Sequence, residues 1–141
     1  MAQITYTAAD VRAGTGAITR KATAGEAMTV GDSVYVSGAN GNIPVVSKTV
    51  ATAINTSNMF GIVVAGAPEK NGSTSIASGD VVDVVTYGPV YGFSGTAGGF
   101  AWCGDTAGQI TDAVGTKSCI AGVMESSSVL FVRPMQAVRS A

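Results

Sequence analysis

Short apolar stretches recur along the chain at close intervals, and most of them alternate. Ser33 to Ser37 (SVYVS) puts Val34 and Val36 on one face with a period of two, the signature of a half-buried strand. Val81 to Thr86 (VVDVVT) is the most β-prone segment, and Phe60 to Ala65 is apolar throughout, as in a strand covered on both faces. Ile43 to Val46 and the VLFV run from Val129 to Val132 add further strands. Between them stand turn signals. Asn40-Gly41 predicts a tight hairpin, because both residues tolerate positive φ. Pro44 places the returning strand near an edge, since proline cannot donate to a ladder. Ser47 to Asn58 shows helical spacing at Val50, Ala53, Ile54 and Ser57 but is rich in poor helix formers, so it reads as one short helix or a long polar loop. Gly66 to Gly79 reads as a polar excursion with Pro68 and Asn71-Gly72. The 19 glycines, close to twice the usual share, fall between short strands. The pattern is that of an all-β barrel or clip built from many turns.

One phrase occurs twice. Met28 to Gly38 (MTVGDSVYVSG) is followed by Phe60 to Gly66 (FGIVVAG), and Phe100 to Ala107 (FAWCGDTA) by Cys119 to Glu125 (CIAGVME). In each, an apolar segment meets Gly-Asp and a glycine-centred strand closes the unit, which predicts two pseudo-repeats. The Gly-Asp pairs lie 73 positions apart, 31 to 104, and the closing glycines 61 apart, Gly61 to Gly122. The first copy therefore carries about 12 extra residues, which the spacing assigns to a surface loop within Ala39 to Asn58. Three pairs, Gly31-Asp32, Gly79-Asp80 and Gly104-Asp105, are expected to form equivalent turns. The glycine would turn the chain and the carboxylate would accept backbone N–H groups of the turn.

Residues 1–17 stand apart. Ile4 and Tyr6 alternate in ITYT, and AGTG from Ala13 to Gly16 follows as a hinge. A lone strand needs a partner for its backbone, so this segment either pairs within its own domain or reaches another subunit. The N-terminus has no basic start followed by an apolar run, and the longest apolar run is far short of the ~20 residues of a membrane helix.

Composition narrows the function. Charged residues are 12% of the chain, against about 25% in typical soluble proteins, and the net charge is −1. The eight Lys and Arg residues are scattered, which argues against nucleic acid. A near-neutral surface of Ser, Thr, Gly, Ala and Val favours association. There is no histidine, no phosphate loop, no nucleophile elbow and no carboxylate pair, and Lys70 and Lys117 lack the setting of a carrier lysine. No catalytic residue, cofactor or metal is expected. Cys103 and Cys119 are expected as buried free thiols, with a bridge as the alternative. Tyr87, Tyr91 and Trp102 are expected to fill the core; the rival reading has them line a polar pocket, as in a small-ligand-binding β-clip domain.

With the repeat in place, the chain resembles the capsid cement or decoration proteins of bacteriophages. The resemblance rests on Ala22-Thr23-Ala24-Gly25-Glu26-Ala27, MTVGDSVYV, FGIVVAGA, GTAGGFAWCGDTAGQIT and CIAGVMESSSVLFVRP, and covers roughly residues 17–134. The long Ala39 to Asn58 segment and Cys103 depart from the pattern. The resemblance implies a small β-clip or β-tulip-like domain, residues 18–141, with residues 1–17 as an extended N-terminal arm. It implies a structural virion protein, not an enzyme, assembled in the host cytoplasm onto the outer surface of a phage head. The partner would be the major capsid protein, and the state on the capsid a homo-trimer or homo-dimer, with neither nucleic acid nor membrane involved. The arm would place Ile4, Tyr6, Val11 and Arg12 against the capsid.

Overall fold

A computed structural model of the chain describes residues 3–66 and 74–135. Among the described residues there is no α-helix, and a 3-10 turn, Ala8–Asp10, is the one helical piece. In chain order the strands are β1 Thr5–Tyr6, β2 Arg12–Ala13, β3 Ile18–Ala24, β4 Met28–Thr29, β5 Ser33–Asn40, β6 Ile43–Lys48, β7 Met59–Ala65, β8 Ser75–Ile76, β9 Val81–Tyr91, β10 Phe93–Ser94, β11 Phe100–Cys103, β12 Ile110–Thr111, β13 Ile120–Met124 and β14 Val129–Met135. Pro68 and Asn71-Gly72 lie outside the described residues.

Ten strands form one mixed sheet, in the order β12-β11-β13-β14-β9-β3-β6-β5-β7, with β2 added on β9. β9 also pairs with β7, so the path β9-β3-β6-β5-β7 returns on β9 as a partial ring. All these pairings are antiparallel except β3 with β6, where Thr23 and Ala24 lie beside Val45 and Val46. The strands β14, β13, β11 and β12 make a wing leading away from the ring.

β9 joins the two. Its first half pairs with β3 and β7, and its second half, from Gly88 to Tyr91, pairs with β14. The change of partner falls at Gly88, whose φ of 120° is closed to other residues. Ala17 packs onto Gly88 so closely that a Cβ there would meet Ala17 Cα at 2.6 Å. The β3–β9 register also slips beside this point, between Ile18 and Thr19, as expected where a strand bends.

The core is made of small residues. Ala22, Ala24, Val34, Val46, Ile62, Val82, Val84 and Val85 fill the ring, and Val90, Phe93, Ile110, Met124, Leu130 and Val132 continue the same cluster into the wing. Light side chains let strands approach, and two glycines mark the extremes. A Cβ on Gly61 would lie 2.2 Å from the Val85 carbonyl oxygen, and one on Gly122 1.9 Å from that of Phe131. The two closing glycines of the sequence phrase thus do the same work, admitting a neighbouring strand's backbone.

One expectation holds and one changes. The Asn40-Gly41 hairpin joins β5 to β6, with Gly41 at φ 65°. Yet Ala39 to Asn58 is not an inserted surface loop. It contains β6, which the ring holds between β3 and β5 with Val46 fully buried. Pro44 lies outside the two residue pairs that β6 makes with β3 and is paired with Ala39 of β5, so it stands where the strand has a partner on one side. Residues 49–58 form turns rather than a helix, tied by Thr56 to the Val50 carbonyl at 2.7 Å and by Ser57 to the Ile54 carbonyl at 3.0 Å.

Gly88→Ala is expected to lower stability by roughly 3–5 kcal/mol, combining left-handed strain with overlap on Ala17. Gly16, at φ 86° with nothing near its Cβ position, isolates the strain alone. Gly16→Ala should therefore cost about 1–2 kcal/mol. Urea unfolding midpoints of the two variants check the difference.

Candidate interaction surface

The N-terminal segment is not a detached arm. Gln3 bridges Thr111, and Ile4 N–H donates to the Ile110 carbonyl at 2.8 Å. Thr5 and Tyr6 pair with Ser94 and Phe93. Arg12 and Ala13 pair with Tyr91 and Val90, and Gly14 N–H reaches the Pro89 carbonyl at 2.7 Å. Ile4 and Val11 are buried in the same core as the ring and wing, so residues 3–17 belong to one domain with the rest. Of the two outcomes open to ITYT, pairing within its own domain is the one the structure takes. The physical reason is that β10, β12 and the end of β9 would otherwise present unpaired backbone and uncovered apolar side chains. Ile4, Tyr6 and Val11 are therefore spent internally and are withdrawn as capsid contacts. Arg12 remains exposed, its guanidinium 5.8 Å from the centre of the Tyr91 ring.

Tyr6 locks this segment to the first Gly-Asp turn. Its ring packs on Phe93 with centroids 5.1 Å apart, and its hydroxyl donates to Asp32 Oδ1 at 2.9 Å. Asp32 Oδ2 accepts Thr29 N–H at 2.9 Å, closing the turn. Gly31 serves twice. Its φ of 104° turns the chain, and its bare Cα seats the Tyr6 ring, which a Cβ would penetrate. Burial raises the Asp32 carboxyl above its ordinary pKa, a rise opposed by the bonds from Thr29 and Tyr6 and by Lys48. Burial and the Asp32 charge push the Tyr6 hydroxyl upward as well, so it stays a donor.

The second turn matches the first. Asp80 accepts Ala77 N–H at 2.9 Å, Gly79 has φ 94°, and the strands entering the two turns, β4 and β8, pair with each other. The third does not match. Gly104 lacks positive φ, and Asp105 bonds the N–H and hydroxyl of Thr116, eleven residues on, at 2.9 and 2.8 Å. Its Gly-Asp follows the strand that pairs with the closing strand, whereas Gly31-Asp32 precedes it. The three turns are thus two equivalent ones and a loop clasp.

The aromatic residues also move. Tyr87 is 47% exposed and Phe100 51%, and Tyr91 and Trp102 are half-buried. They do not fill the core. Residues directly opposite on neighbouring strands share a face, and the registers place an apolar row across five strands. Ile18 on β3 opposes Tyr87 on β9. Tyr87 meets Phe131 on β14 edge-on at 5.1 Å. Phe131 opposes Val123 on β13, which opposes Phe100 on β11, and Phe100 lies 6.1 Å from Trp102. Arg133, exposed and two residues along β14 from Phe131, borders this row. A continuous apolar row across an open sheet face is the kind of patch that marks a macromolecular contact. Sequence reading missed Ile18, Phe100, Val123 and Phe131. The available signal was VLFV, a strand apolar on both faces, which implies that both are covered.

A cleft of about 340 Å³ lies beside the N-terminal segment, lined in part by Gln3, Ser94, Thr96, Phe100 and Asp112. Tyr87, Tyr91 and Trp102 take no part in it. Among the described residues no three His, Cys, Asp or Glu side chains are grouped to hold a metal ion.

Ile4→Ala is expected to cost about 2–4 kcal/mol in urea unfolding, the loss of a fully covered side chain rather than of a free arm. The raised Asp32 pKa means that the folded chain holds this proton more tightly than the unfolded one. The stability it contributes is full below the ordinary carboxylate value and is lost as pH rises through the folded value. Asp32→Asn should flatten that part of the stability–pH curve, while Asp32→Ala should cost about 1–3 kcal/mol at low pH by stranding Thr29 N–H and the Tyr6 hydroxyl, and less as pH rises through the folded value.

Compared with known protein families and with curated proteins, the chain has no match: no family model and no curated protein matches it.

Proposed function

We propose that this chain is a structural virion protein that binds the outer surface of an assembled phage capsid and holds neighbouring capsomers together. The observation that carries the reading is the outward apolar row Ile18–Tyr87–Phe131–Val123–Phe100, on a protein with few charges to solvate such a face. The motif order that resembles cement proteins agrees with it. On this reading the ring formed with β9 is the β-clip or β-tulip-like element, and the sheet face takes over the contact role first assigned to the arm. Arg133 lies at its border and orients the docking, with Arg12 beside Tyr91 as a second exposed cation. The protein acts as a homo-trimer or homo-dimer, so contacts that are weak singly gain effective concentration when several subunits sit on one lattice. No catalytic group, cofactor or metal takes part. The small-ligand reading has less behind it, because the aromatics proposed to line a pocket are spread along an open face.

Co-sedimentation with expanded, undecorated phage heads tests the proposal, with unexpanded heads as control. Saturable binding to expanded heads alone is expected. The double variant Tyr87→Glu, Phe100→Glu should weaken that binding at least tenfold, since buried aromatics dominate interface energies. Its unfolding midpoint should stay near wild type, because both side chains are exposed. Equal binding of wild type and variant would refute the assignment of the face, and no binding to either head form would refute the function.

A further inference from the structure

We propose that Cys103 and Cys119 are a latent disulfide site whose oxidation staples the 104–118 loop to the sheet. Cys103 ends β11 and Cys119 directly precedes β13, and the neighbouring pair Trp102 and Ile120 is in register. The next pair outward is the two cysteines, and Cys103 N–H donates to the Cys119 carbonyl at 2.9 Å. Residues so opposed across antiparallel strands have Cα atoms about 4.5–5.5 Å apart, inside the range of about 4.4–6.8 Å that a disulfide spans. Their Sγ atoms lie 2.7 Å apart. The bonded form therefore fits the folded backbone.

The surroundings favour this chemistry over the alternatives. Both thiols are buried with Ala51 in a small apolar cluster, and the Met59 sulfur lies 3.7 Å from Cys103 Sγ. Among the described residues no third ligand joins the pair to make a metal site. The neighbouring Cys119 sulfur and burial push the Cys103 thiol pKa well up, so reaction proceeds through transient opening rather than in the closed state.

With an external disulfide as oxidant the step balances. One cysteine thiolate attacks a sulfur of the small disulfide, the external S–S bond breaks, and one small thiolate leaves. The second cysteine then attacks the mixed disulfide at the protein sulfur, expelling the second small thiolate. The protein loses two electrons and two protons, and the small disulfide is reduced to two thiols.

The bond would close a loop on which much depends. Gly104 and Lys117 both bond Ala51, Gly108 N–H bonds the Thr49 carbonyl, and the Ile110 carbonyl holds Ile4. Fixing the loop ends therefore steadies the seat of the N-terminal segment and of residues 49–51 together. This inference does not depend on the capsid reading.

The test is incubation of the purified full chain with oxidised glutathione, followed by denaturing intact-mass analysis and peptide mapping without reductant. The expected product is a monomer about 2 Da lighter, with Cys103 and Cys119 in one cross-linked peptide and both lost to alkylation. Its Tm should rise by roughly 10 °C, and return on reduction. Low urea should accelerate closure, and Cys119→Ser should show no Tm response. Two alkylatable thiols after prolonged treatment, a persistent glutathione adduct, or intermolecular dimers would each overturn the proposal. The mapping uses wild-type protein, so it decides the question even if Cys119→Ser fails to fold.

Discussion

A single bent strand organises this molecule. β9 pairs with β3 and β7 along its first half and with β14 and β2 along its second. The ring closes through it and the wing begins from it. Such a strand must change direction without losing its ladder, which requires a residue that accepts a positive φ and offers no Cβ to the chain crossing it. Gly88 meets both conditions. Any other residue there would force a choice between ring and wing.

The bend also explains the composition of the core. Strands gathered around one crowded element cannot carry large inward side chains, and the ring is accordingly filled with Ala, Val and Ile. Phe93 is the one aromatic of the buried cluster, placed beyond the bend where the N-terminal segment roofs it with Tyr6. Tyr6 and Phe60 pack against the cluster from its rim, and Tyr87 and Phe100 lie exposed on the outer face. Steric limits inside the ring and the apolar row outside it are therefore two consequences of one packing constraint.

What could be read from the chain followed the range of the interactions. The Asn40-Gly41 hairpin, the β9 run VVDVVT and the strand Phe60 to Ala65 were legible because each is specified by neighbours in sequence. The turns at Asp32 and Asp80 were legible for the same reason, since each carboxylate bonds an N–H three residues back. Asp105 was not, because its partner is eleven residues away and the same dipeptide does different work there. β6 was legible as a strand, but its place inside the ring was not, because its partner β3 is parallel and a parallel pairing leaves no turn signature. The N-terminal segment was divided between two fates that differ only in which chain supplies the partner strand. No local pattern decides that. The aromatic face was missed because a half-exposed Tyr and a buried one look alike in sequence, and the core was assumed to want bulk that the ring cannot hold.

The placement of the apolar row ties stability to interaction. Its five residues come from five strands on both sides of Gly88, so the row is continuous only while ring and wing hold their relative register. Ile18 reaches Tyr87 at the slipped register beside the bend, and Tyr87 reaches Phe131 just across it. A loosened β9 would break the row at its centre before any of its side chains was changed. A surface built this way presents its contacts as one rigid set, which lowers the ordering cost of any contact the face makes. It also means that the light core, which leaves few large side chains to stabilise the fold, is compensated by backbone ladders that do not depend on side-chain bulk. The same economy that excludes aromatics from the ring supplies the face with the residues that a neighbouring protein can cover.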